Sequence, residues 1–364
     1  MKKIITVFGT RPEATKMCPL ILEMKRRPSL ETLVCITSQH KDMLLPVLDF
    51  FGVKPEYDLD IMKNSQTLFD ITDKTLDRLK KVLEKENPDV VAVHGDTTSA
   101  FAAALTAFYM NIPVAHVEAG LRTYDVLSPY PEEFNRAAID KIAKYCFAPT
   151  ERAAENLRRE GKSESEIFVV GNTAIDALKY TADPNFTSEI IEKAKGKRLI
   201  TVTAHRRENI GENMNNMFAA INDIVSAFPD VLIVYPVHKN PAVRAYANGF
   251  FGKKERVILC EPMNTVEFHS TLLHSYMTLT DSGGIQEEAP SLGCPAVVMR
   301  DKTERPEAIE AGTAILAGTG RKEIFDAASK LLTDKALYEK MKNAPNPFGD
   351  GKTSEKISDI LEKI

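Results

Sequence analysis

Residues 90–110 read V-V-A-V-H-G-D-T-T-S-A-F-A-A-A-L-T-A-F-Y-M, a short apolar run, a polar turn and a longer alanine-rich stretch. A continuous apolar run of this length is typical of a strand that is covered on both faces, as in parallel sheets. Thr97 and Thr98 are good helix N-caps, so a helix is predicted over 97–110. The stretch therefore predicts a strand that leads directly into a helix, the repeating unit of an α/β fold.

The same unit recurs along most of the chain. Strands are predicted near 3–8, 32–37, 89–94, 113–117, 145–148 and 167–170, and then near 198–203, 231–236, 256–260, 276–280, 295–299 and 313–316. Helical patterns lie between them, for example over 12–26, 67–86, 133–144, 213–227, 264–274, 283–292 and 320–344. Twelve strands are too many for one comfortable twisted sheet, so two parallel-sheet domains are expected. Their boundary is placed near residue 170, ahead of the polar segment 181–198.

Composition excludes several classes of protein. The 364 residues carry 47 Lys+Arg against 51 Asp+Glu, a net charge of −4, which excludes a strongly basic nucleic-acid binder. The five cysteines are scattered and form no C-x-x-C, which argues against a disulfide framework and a thiolate metal site. The apolar runs are too short to span a membrane, and the first one stops at Gly9, as an opening strand does. A cytoplasmic protein without nucleic-acid or membrane partners is expected.

Charged residues follow several first-half strands at the point where each strand ends. Arg11 and Lys16 lie where the first helix begins, a place suited to an anion. Asp96 and Glu118 follow the third and fourth strands, and Glu132 lies at a later helix start. Taken singly, these residues are ordinary surface charges, N-caps or helix-start acids. Because ligands of doubly wound sheets bind beyond the carboxyl ends of the strands, the three acids together predict one crevice for proton transfer.

The second half places cations and a glycine turn at the equivalent points. The string T-D-S-G-G-I-Q-E-E puts Ser282, Gly283 and Gly284 between a strand and a helix, where free N–H groups suit a diphosphate. Glu287 or Glu288 is then suited to a ribose diol. Cationic or potentially cationic residues after the strands of this half are His205, Arg206, Arg207, His238, Lys239 and Arg305. The chain lacks G-x-G-x-x-G, a P-loop and zinc-site spacing, so NAD, a P-loop nucleotide and a metal are not indicated.

Ten strings occur in a fixed order along the chain. They are F-G-T-R-P-E-A-T-K, H-G-D-T-T, H-V-E-A-G-L-R-T, S-P-Y-P-E-E-F-N-R, G-N-T-A-I-D, T-A-H-R-R-E-N, V-Y-P-V-H, T-D-S-G-G-I-Q-E-E-A-P-S-L-G, R-D-K-T-E-R-P-E-A and N-P-F-G-D-G. Together they closely resemble the non-hydrolysing UDP-N-acetylglucosamine 2-epimerases of bacteria. The resemblance implies the GT-B architecture of two Rossmann-like domains facing a cleft. The domains would be 1–170 plus 346–364 and 171–345, since the family's last helix crosses back onto the first domain.

The resemblance also implies the reaction. UDP-N-acetylglucosamine (UDP-GlcNAc) and UDP-N-acetylmannosamine (UDP-ManNAc) interconvert without a cofactor, by anti-elimination of UDP to 2-acetamidoglucal and re-addition. By motif, Asp96, Glu118 and Glu132 are the acid–base candidates, with their individual roles open, and His205 steadies the departing diphosphate. The implied UDP-binding residues are Arg11, Lys16, Phe268, Ser282, Gly283, Gly284, Glu288 and Arg305.

The resemblance further implies regulation and assembly. Several bacterial members bind a second UDP-GlcNAc as an activator, and the matching positions here are Gln39, Gln66, Glu132, Arg206 and His238. Ser65 stands where the family often has Arg, and Asp42 replaces a common Gln or Glu, so a weakened activator site is expected. A homodimer is expected as well.

Rival functions remain open at this point. One is a hydrolysing relative that releases free ManNAc, and another is a GT-B glycosyltransferase. The intact S-P-Y-P-E-E-F-N-R and H-R-R-E-N strings favour the non-hydrolysing branch, and no segment suggests an acceptor groove or a membrane-facing patch. A nucleotide-sugar sensor is disfavoured because all three acids are kept together.

Overall fold

The computed structural model describes residues 1–63, 65–252 and 254–364, apart from the side chain of Arg207, and the chain divides into two compact units. The first unit is Met1–Ala177 together with Phe348–Ile364, and the second is Leu178–Pro347. Each unit is built on its own parallel sheet, with seven strands in the first and six in the second. The predicted fold class is confirmed. The assignment of separate chemical roles to the two domains stays a prediction.

Within the described ranges, thirteen strands and sixteen α-helices are numbered in chain order. The strands are β1 (Lys2–Phe8), β2 (Leu30–Ile36), β3 (Tyr57–Asp58), β4 (Val90–His94), β5 (Val114–Val117), β6 (Tyr145–Ala148), β7 (Ile167–Val169), β8 (Arg198–Thr203), β9 (Val231–Pro236), β10 (Val257–Cys260), β11 (Met277–Thr280), β12 (Ala296–Val298) and β13 (Ala314–Leu316). The helices are α1 (Arg11–Lys25), α2 (Lys41–Phe51), α3 (Leu68–Glu86), α4 (Thr98–Tyr109), α5 (Glu132–Ile142), α6 (Glu151–Arg159), α7 (Thr173–Thr181), α8 (Glu189–Ala194), α9 (Glu212–Ala227), α10 (Pro241–Phe251), α11 (Thr265–Leu273), α12 (Gly283–Glu288), α13 (Pro306–Glu310), α14 (Arg321–Thr333), α15 (Lys335–Lys342) and α16 (Thr353–Lys363).

The first sheet has the strand order β3-β2-β1-β4-β5-β6-β7, and every neighbouring pair is parallel. Alternate residues of β1 enter different cores, with Ile4 and Phe8 in one cluster and Ile5 and Val7 in another. Both faces are therefore covered, which explains why these strands are continuously apolar. The strand order reverses between β1 and β4, and such a switch point opens a crevice beyond the strand ends.

The second sheet has the order β10-β9-β8-β11-β12-β13, again parallel throughout, with its switch point between β8 and β11. On β9 the alternation repeats: Ile233 packs into the largest cluster of this unit and Leu232 into a smaller one. The two units thus share the order of six strands, to which the first unit adds β7 at one edge.

Three local predictions differ from the structure. The two-residue strand β3 was not predicted, because Tyr57–Asp58 is too short to produce a periodic pattern. The predicted helix 320–344 is two helices, since Asp334 has extended backbone and its side chain accepts from Leu337 N, starting α15. The predicted helix 283–292 ends at Glu288 and continues as a 3-10 turn that contains Pro290, a residue without the N–H that an α-helix requires.

The segment Phe348–Ile364 completes the first unit. Helix α16 packs on α1, and Ile357 and Leu361 are fully buried in the core beneath it. The buried Asp176 carboxylate accepts the N–H groups of Thr353, at 3.1 Å, and Ser354, at 2.8 Å, at the start of α16. These two bonds satisfy donors that a helix leaves unpaired at its first turn.

Two further observations bear on the sequence-based predictions. All five cysteines are free thiols, and four of them are buried. Among the helices of the described ranges, none has the length and apolarity that crossing a bilayer requires.

Candidate functional site

A pocket of about 390 Å³ lies at the switch point of the first sheet, beyond the ends of β1, β4 and β5. Residues from the N-terminal ends of α1, α4 and α5 complete its wall. The predicted acids Asp96, Glu118 and Glu132 all line it, together with Lys16 and Gln39. The structure therefore brings the three acids into one crevice.

Glu118 lies directly after β5 in a left-handed conformation, with φ at +69°. Its carboxylate accepts hydrogen bonds from the Lys16 ammonium and, at 3.0 Å, from the Asn172 side-chain amide. Its side chain is 10% exposed, so the carboxylate is held with little water around it. Reading Lys16 as a solvated surface charge is therefore wrong, whereas Arg11 is indeed exposed at the start of α1.

Asp96 lies in the turn between β4 and α4, where reading it as the helix N-cap is wrong. Thr97 is the N-cap and accepts from Ala100 N at 3.0 Å, which leaves the Asp96 carboxylate available to the pocket. Burial raises the pKa of Asp96, and the Arg136 guanidinium, 3.0 Å away, lowers it. Opposing influences of this kind are typical of groups that exchange protons near neutral pH.

The adjacent acids Glu132 and Glu133 have different surroundings. Glu132 is the first residue of α5 and lines the pocket. Glu133 is buried, and its carboxylate accepts the backbone N–H groups of Thr123 and Tyr124, both at 2.9 Å. Glu133 therefore orders the preceding loop, and of the two acids only Glu132 lines the pocket.

Glu13 is a fourth carboxylate of the pocket wall, with a structural role. It accepts the N–H groups of Gly9, at 3.0 Å, and Thr10, at 2.8 Å, and the Thr97 hydroxyl, at 2.8 Å. Burial raises the pKa of Glu13, and these bonds oppose the shift. The contacts tie the turn after β1 to the turn after β4.

His94 ends β4 at the floor of the pocket. Burial lowers the pKa of His94 to about 3, so the ring is neutral at physiological pH. Its Nε2 lies 3.7 Å from the Glu118 carboxylate and has no hydrogen-bond partner among the described residues. A ligand group that reaches the floor of the pocket would meet this nitrogen.

The predicted residues of the second unit gather after β8, β9 and β11. The His205 and His238 rings stack, with centroids 5.2 Å apart. The fully buried Asp281 carboxylate accepts the backbone N–H groups of His205, at 2.8 Å, and Arg206, at 2.9 Å. Asp281 thus orders the T-A-H-R-R-E-N loop. The side chain of Arg207, also suggested for phosphate binding, lies outside the described part of the structure.

The glycine turn of the second unit lies beside Arg206. Ser282 is the N-cap residue of α12, and the Arg206 Nε donates to the Asp281 carbonyl at 2.9 Å. A Cβ added at Gly283 would lie 3.7 Å from the Arg206 guanidinium, so the glycine leaves this side of the turn open. A residue predicted for the activator therefore lies next to the turn predicted for the diphosphate.

The other residues predicted to bind the nucleotide make contacts with neighbouring side chains. The Glu288 carboxylate lies 3.3 Å from His269 Nε2, and Arg305 donates to Glu287. Phe268 on α11 packs against the apolar cluster around α12.

The predicted activator residues of the first unit contact each other. The Gln66 side-chain amide donates to the Gln39 carbonyl at 2.9 Å, and the Gln39 side chain accepts from the Ser99 hydroxyl at 2.7 Å. Gln39 lines the pocket.

Sequence reasoning did not single out several residues that hold the predicted ones in place. All except Asp140 lie inside the ten ordered strings, and Asp140 lies four residues beyond S-P-Y-P-E-E-F-N-R, so membership of a string was the signal available. They are His94, His116, Asn135, Arg136, Asp140, Asn172 and Asp281. Among the described residues, no group of three or more His, Cys, Asp or Glu side chains is placed to hold a metal ion.

Two parallel-sheet units that share a six-strand order, one of them with a carboxylate-lined pocket at its switch point, define a GT-B-like α/β enzyme. The family model described as UDP-N-acetylglucosamine 2-epimerase matches residues 22–362. The chain belongs to the UDP-N-acetylglucosamine 2-epimerase family, which confirms the resemblance and the identification of the chain as an enzyme of this kind.

Individual relatives agree with this assignment. The UDP-N-acetylglucosamine 2-epimerase of Bacillus subtilis strain 168 is 52% identical over 99% of this chain and 94% of its own length. A solved structure from Listeria monocytogenes is 49% identical, covers 98% of this chain and 95% of its own, and superposes with a TM-score of 0.94. The UDP-GlcNAc 2-epimerase of Neisseria meningitidis, solved bound to UDP-GlcNAc, is 44% identical over the whole of both chains, with a TM-score of 0.88.

Proposed function

We propose that this chain interconverts UDP-GlcNAc and UDP-ManNAc without hydrolysing either. The observation that carries the proposal is the convergence of Asp96, Glu118 and Glu132 in one pocket, with Lys16 bonded to Glu118. Inversion at C2 requires a proton to leave one face and another to arrive on the opposite face. One general base and one general acid are the minimum for this, and the pocket supplies three candidates.

The C2 hydrogen of the sugar is not next to a carbonyl, so its direct removal is not feasible. We propose that the C1–O bond to UDP breaks first, which makes C1 oxocarbenium-like and C2–H acidic. A carboxylate takes the C2 proton and a C1=C2 double bond forms, giving 2-acetamidoglucal and UDP. A carboxylic acid then protonates C2 on the other face, and a UDP oxygen re-forms the bond to C1. The overall change is an isomerisation, with no oxidant or reductant consumed.

The departing UDP carries negative charge that must be stabilised. We propose that the loop ordered by Asp281, which carries His205, and the turn Ser282–Gly284 bind the diphosphate. Helix starts and cationic side chains favour phosphate oxygens for electrostatic reasons. Arg11, Lys16, Phe268, Glu288 and Arg305 remain proposed ligands of UDP.

NMR of UDP-GlcNAc incubated with the protein in D2O tests the reaction. The expected result is UDP-ManNAc with deuterium at C2, together with deuterium in the recovered UDP-GlcNAc. Free ManNAc and UDP would show the hydrolysing reaction instead. Transfer to an added sugar acceptor, with no change at C2, would show a glycosyltransferase. Oxygen-18 placed between C1 and phosphorus should scramble into the other β-phosphate oxygens if the C1–O bond breaks reversibly.

Three conservative variants test the acid–base roles. Asp96→Asn, Glu118→Gln and Glu132→Gln should each lower kcat by about 100-fold or more while the far-UV spectrum stays unchanged. Asp73→Asn on the exposed surface of α3 is the matched control, and it should keep full activity. Near-normal turnover in two of the three variants would refute the assignment.

Regulation, assembly and location complete the proposal. We propose that a second UDP-GlcNAc acts as an activator and contacts Gln39, Gln66, Arg206 and His238. Its binding should be weakened because Ser65 stands where the family often has Arg. A homodimer, which the family resemblance implies, is part of the proposal. The cytoplasmic location stays a prediction from the sequence.

A further inference from the structure

His116 is a fully buried histidine in the middle of an apolar strand, β5. Its Nδ1 lies 2.6 Å from a carboxylate oxygen of Asp140, and its Nε2 lies 2.7 Å from the Gly95 carbonyl oxygen. Both distances are those of short hydrogen bonds. The ring therefore has an oxygen acceptor at each nitrogen, and it does not itself line the pocket.

The partners of the ring determine how many protons it carries. A backbone carbonyl can only accept, so Nε2 must donate. Asp140 also accepts the Gly120 N–H at 3.0 Å and pairs with Arg122 at 2.7 Å, so its carboxylate is ionised and acceptor-only. Nδ1 must then donate as well, which requires an imidazolium.

The charges around the ring accommodate this extra proton. Arg122 pairs with Asp140 and, at 2.6 Å, with Glu160. Two cations, His116 and Arg122, thus face two anions, Asp140 and Glu160. The other titratable neighbours are His94 on β4 and Cys146 on β6, and burial keeps both neutral. The cluster is electrically balanced only with His116 protonated.

The same cluster touches both turns that carry the proposed acids. The Gly95 carbonyl belongs to the peptide that joins Gly95 to Asp96, and Gly120 lies two residues after Glu118. His116 therefore fixes the peptide that precedes Asp96, and Asp140 fixes the turn that follows Glu118. Misplacing a catalytic group by about 1 Å can cost about 100-fold in rate.

We propose that His116 is a positioning residue that donates from both ring nitrogens and, with Asp140, sets the spacing between the Asp96 and Glu118 turns. This inference rests on the proposed function, since it assigns those two acids to the reaction. The inference assigns a role to two buried residues outside the pocket lining, His116 and Asp140. His116 is the histidine of the H-V-E-A-G-L-R-T string.

Two substitutions separate positioning from mere packing. His116→Gln keeps an N–H donor at the place of Nε2, so the Gly95 carbonyl stays bonded. His116→Asn keeps a donor only at the place of Nδ1, and the Gly95 carbonyl loses its partner. We expect kcat to fall about 30-fold or more in His116→Asn and only about threefold in His116→Gln, with KM within about threefold in both. Equal losses of kcat in the two variants would overturn the positioning role.

The protonation state is measured in the wild-type protein. With only seven histidines, nitrogen-15 histidine labelling gives a readable spectrum, and His116→Gln assigns the His116 signals. Both ring nitrogens should carry the shifts of protonated nitrogen at pH 7.5, whereas one unprotonated nitrogen would overturn the imidazolium. Should His116→Asn not fold, Asp140→Asn serves instead, and its His116 ring should lose one proton.

These outcomes are distinct from those that test the proposed function. If UDP-GlcNAc is not epimerised in D2O, the proposed function fails, and if Asp96→Asn and Glu118→Gln remain active, the assignment of these two acids fails; in both cases the nitrogen spectrum still reports the protonation of the His116 ring. If both are inactive and the two His116 variants are equally active, only the inference fails.

Discussion

Replacing Arg136 by methionine should move one limb of the pH–rate profile to higher pH. Burial raises the pKa of Asp96, and the Arg136 guanidinium, whose Nη2 lies 3.0 Å from the carboxylate, lowers it. Methionine keeps an unbranched side chain and removes the positive charge. The pKa of Asp96 should therefore rise further, and the protonated form should persist to higher pH.

The size of the shift follows from Coulomb's law. Two unit charges at about 4 Å attract by about 4 kcal/mol at an effective dielectric constant of ~20, equivalent to roughly three pKa units. The Asp96 side chain is 30% exposed, so water and salt screen much of this attraction. We expect the pKa of Asp96 to rise by about one unit, or about 1.4 kcal/mol.

The assay is kcat/KM as a function of pH, because this ratio reports the titration of the free enzyme. If Asp96 acts as the base, the acid limb moves up by about one unit, since its ionised form is the active one. If it acts as the acid, the alkaline limb moves up instead. Arg136→Lys keeps the charge and is the matched control, with a limb shift below about 0.3 units.

Two results would refute this reasoning. Superimposable profiles for the wild type and Arg136→Met, with Asp96→Asn inactive, would show that the guanidinium does not tune the acid. A limb that moves to lower pH would have the wrong sign for the loss of a positive charge.

Other perturbations probe nucleotide binding, stability and regulation. Arg11→Ala and His205→Ala should each weaken UDP binding about tenfold or more with an unchanged Tm, and unchanged calorimetric affinity in both contradicts the proposed clamp. Asp176→Ala should destabilise the first unit by about 3 kcal/mol, because two buried N–H groups lose a charged acceptor. Differential scanning calorimetry measures the loss, with the less disruptive Asp176→Asn variant as the comparison. A Tm of Asp176→Ala within about one degree of the wild-type value would contradict the prediction. The forward rate should depend sigmoidally on the UDP-GlcNAc concentration, and the reverse reaction from pure UDP-ManNAc should stall until traces of UDP-GlcNAc are added. A hyperbolic forward curve, together with a reverse reaction that needs no UDP-GlcNAc, would exclude the activator site.

The architecture was predictable because its signals are local. The strand of residues 90–94 is continuously apolar and fully buried, and the turn after it caps a helix, as the sequence indicates. Where the signal is short or ambiguous the prediction was wrong, as at the two-residue β3 and at Asp334, which divides a continuous helical pattern. A run of 25 residues with helical periodicity does not reveal that one residue within it adopts extended backbone.

The site was predictable only as a set of positions. Strand ends mark where polar residues meet, so the three acids could be placed in one crevice from the sequence. Their partners could not be assigned, because Lys16 and Glu118 lie 102 residues apart and tertiary packing alone brings them together. The same holds for His116, because its position in an apolar strand does not indicate that Asp140 and the Gly95 carbonyl lie at its two ring nitrogens. Spacing along the chain contains little information about such pairs.

The first unit is made from two separate pieces of chain, and this determines its order of assembly. During synthesis the second unit, Leu178–Pro347, is made as one continuous stretch. At that stage the core of the first unit is incomplete, because it lacks Ile357 and Leu361. Asn172, which donates to Glu118, also receives its Phe348 contact only from this late segment. We expect the unit that is begun first on the ribosome to be completed last, so the backbone bond that holds Asn172, the partner of Glu118, forms only after Phe348 has been added.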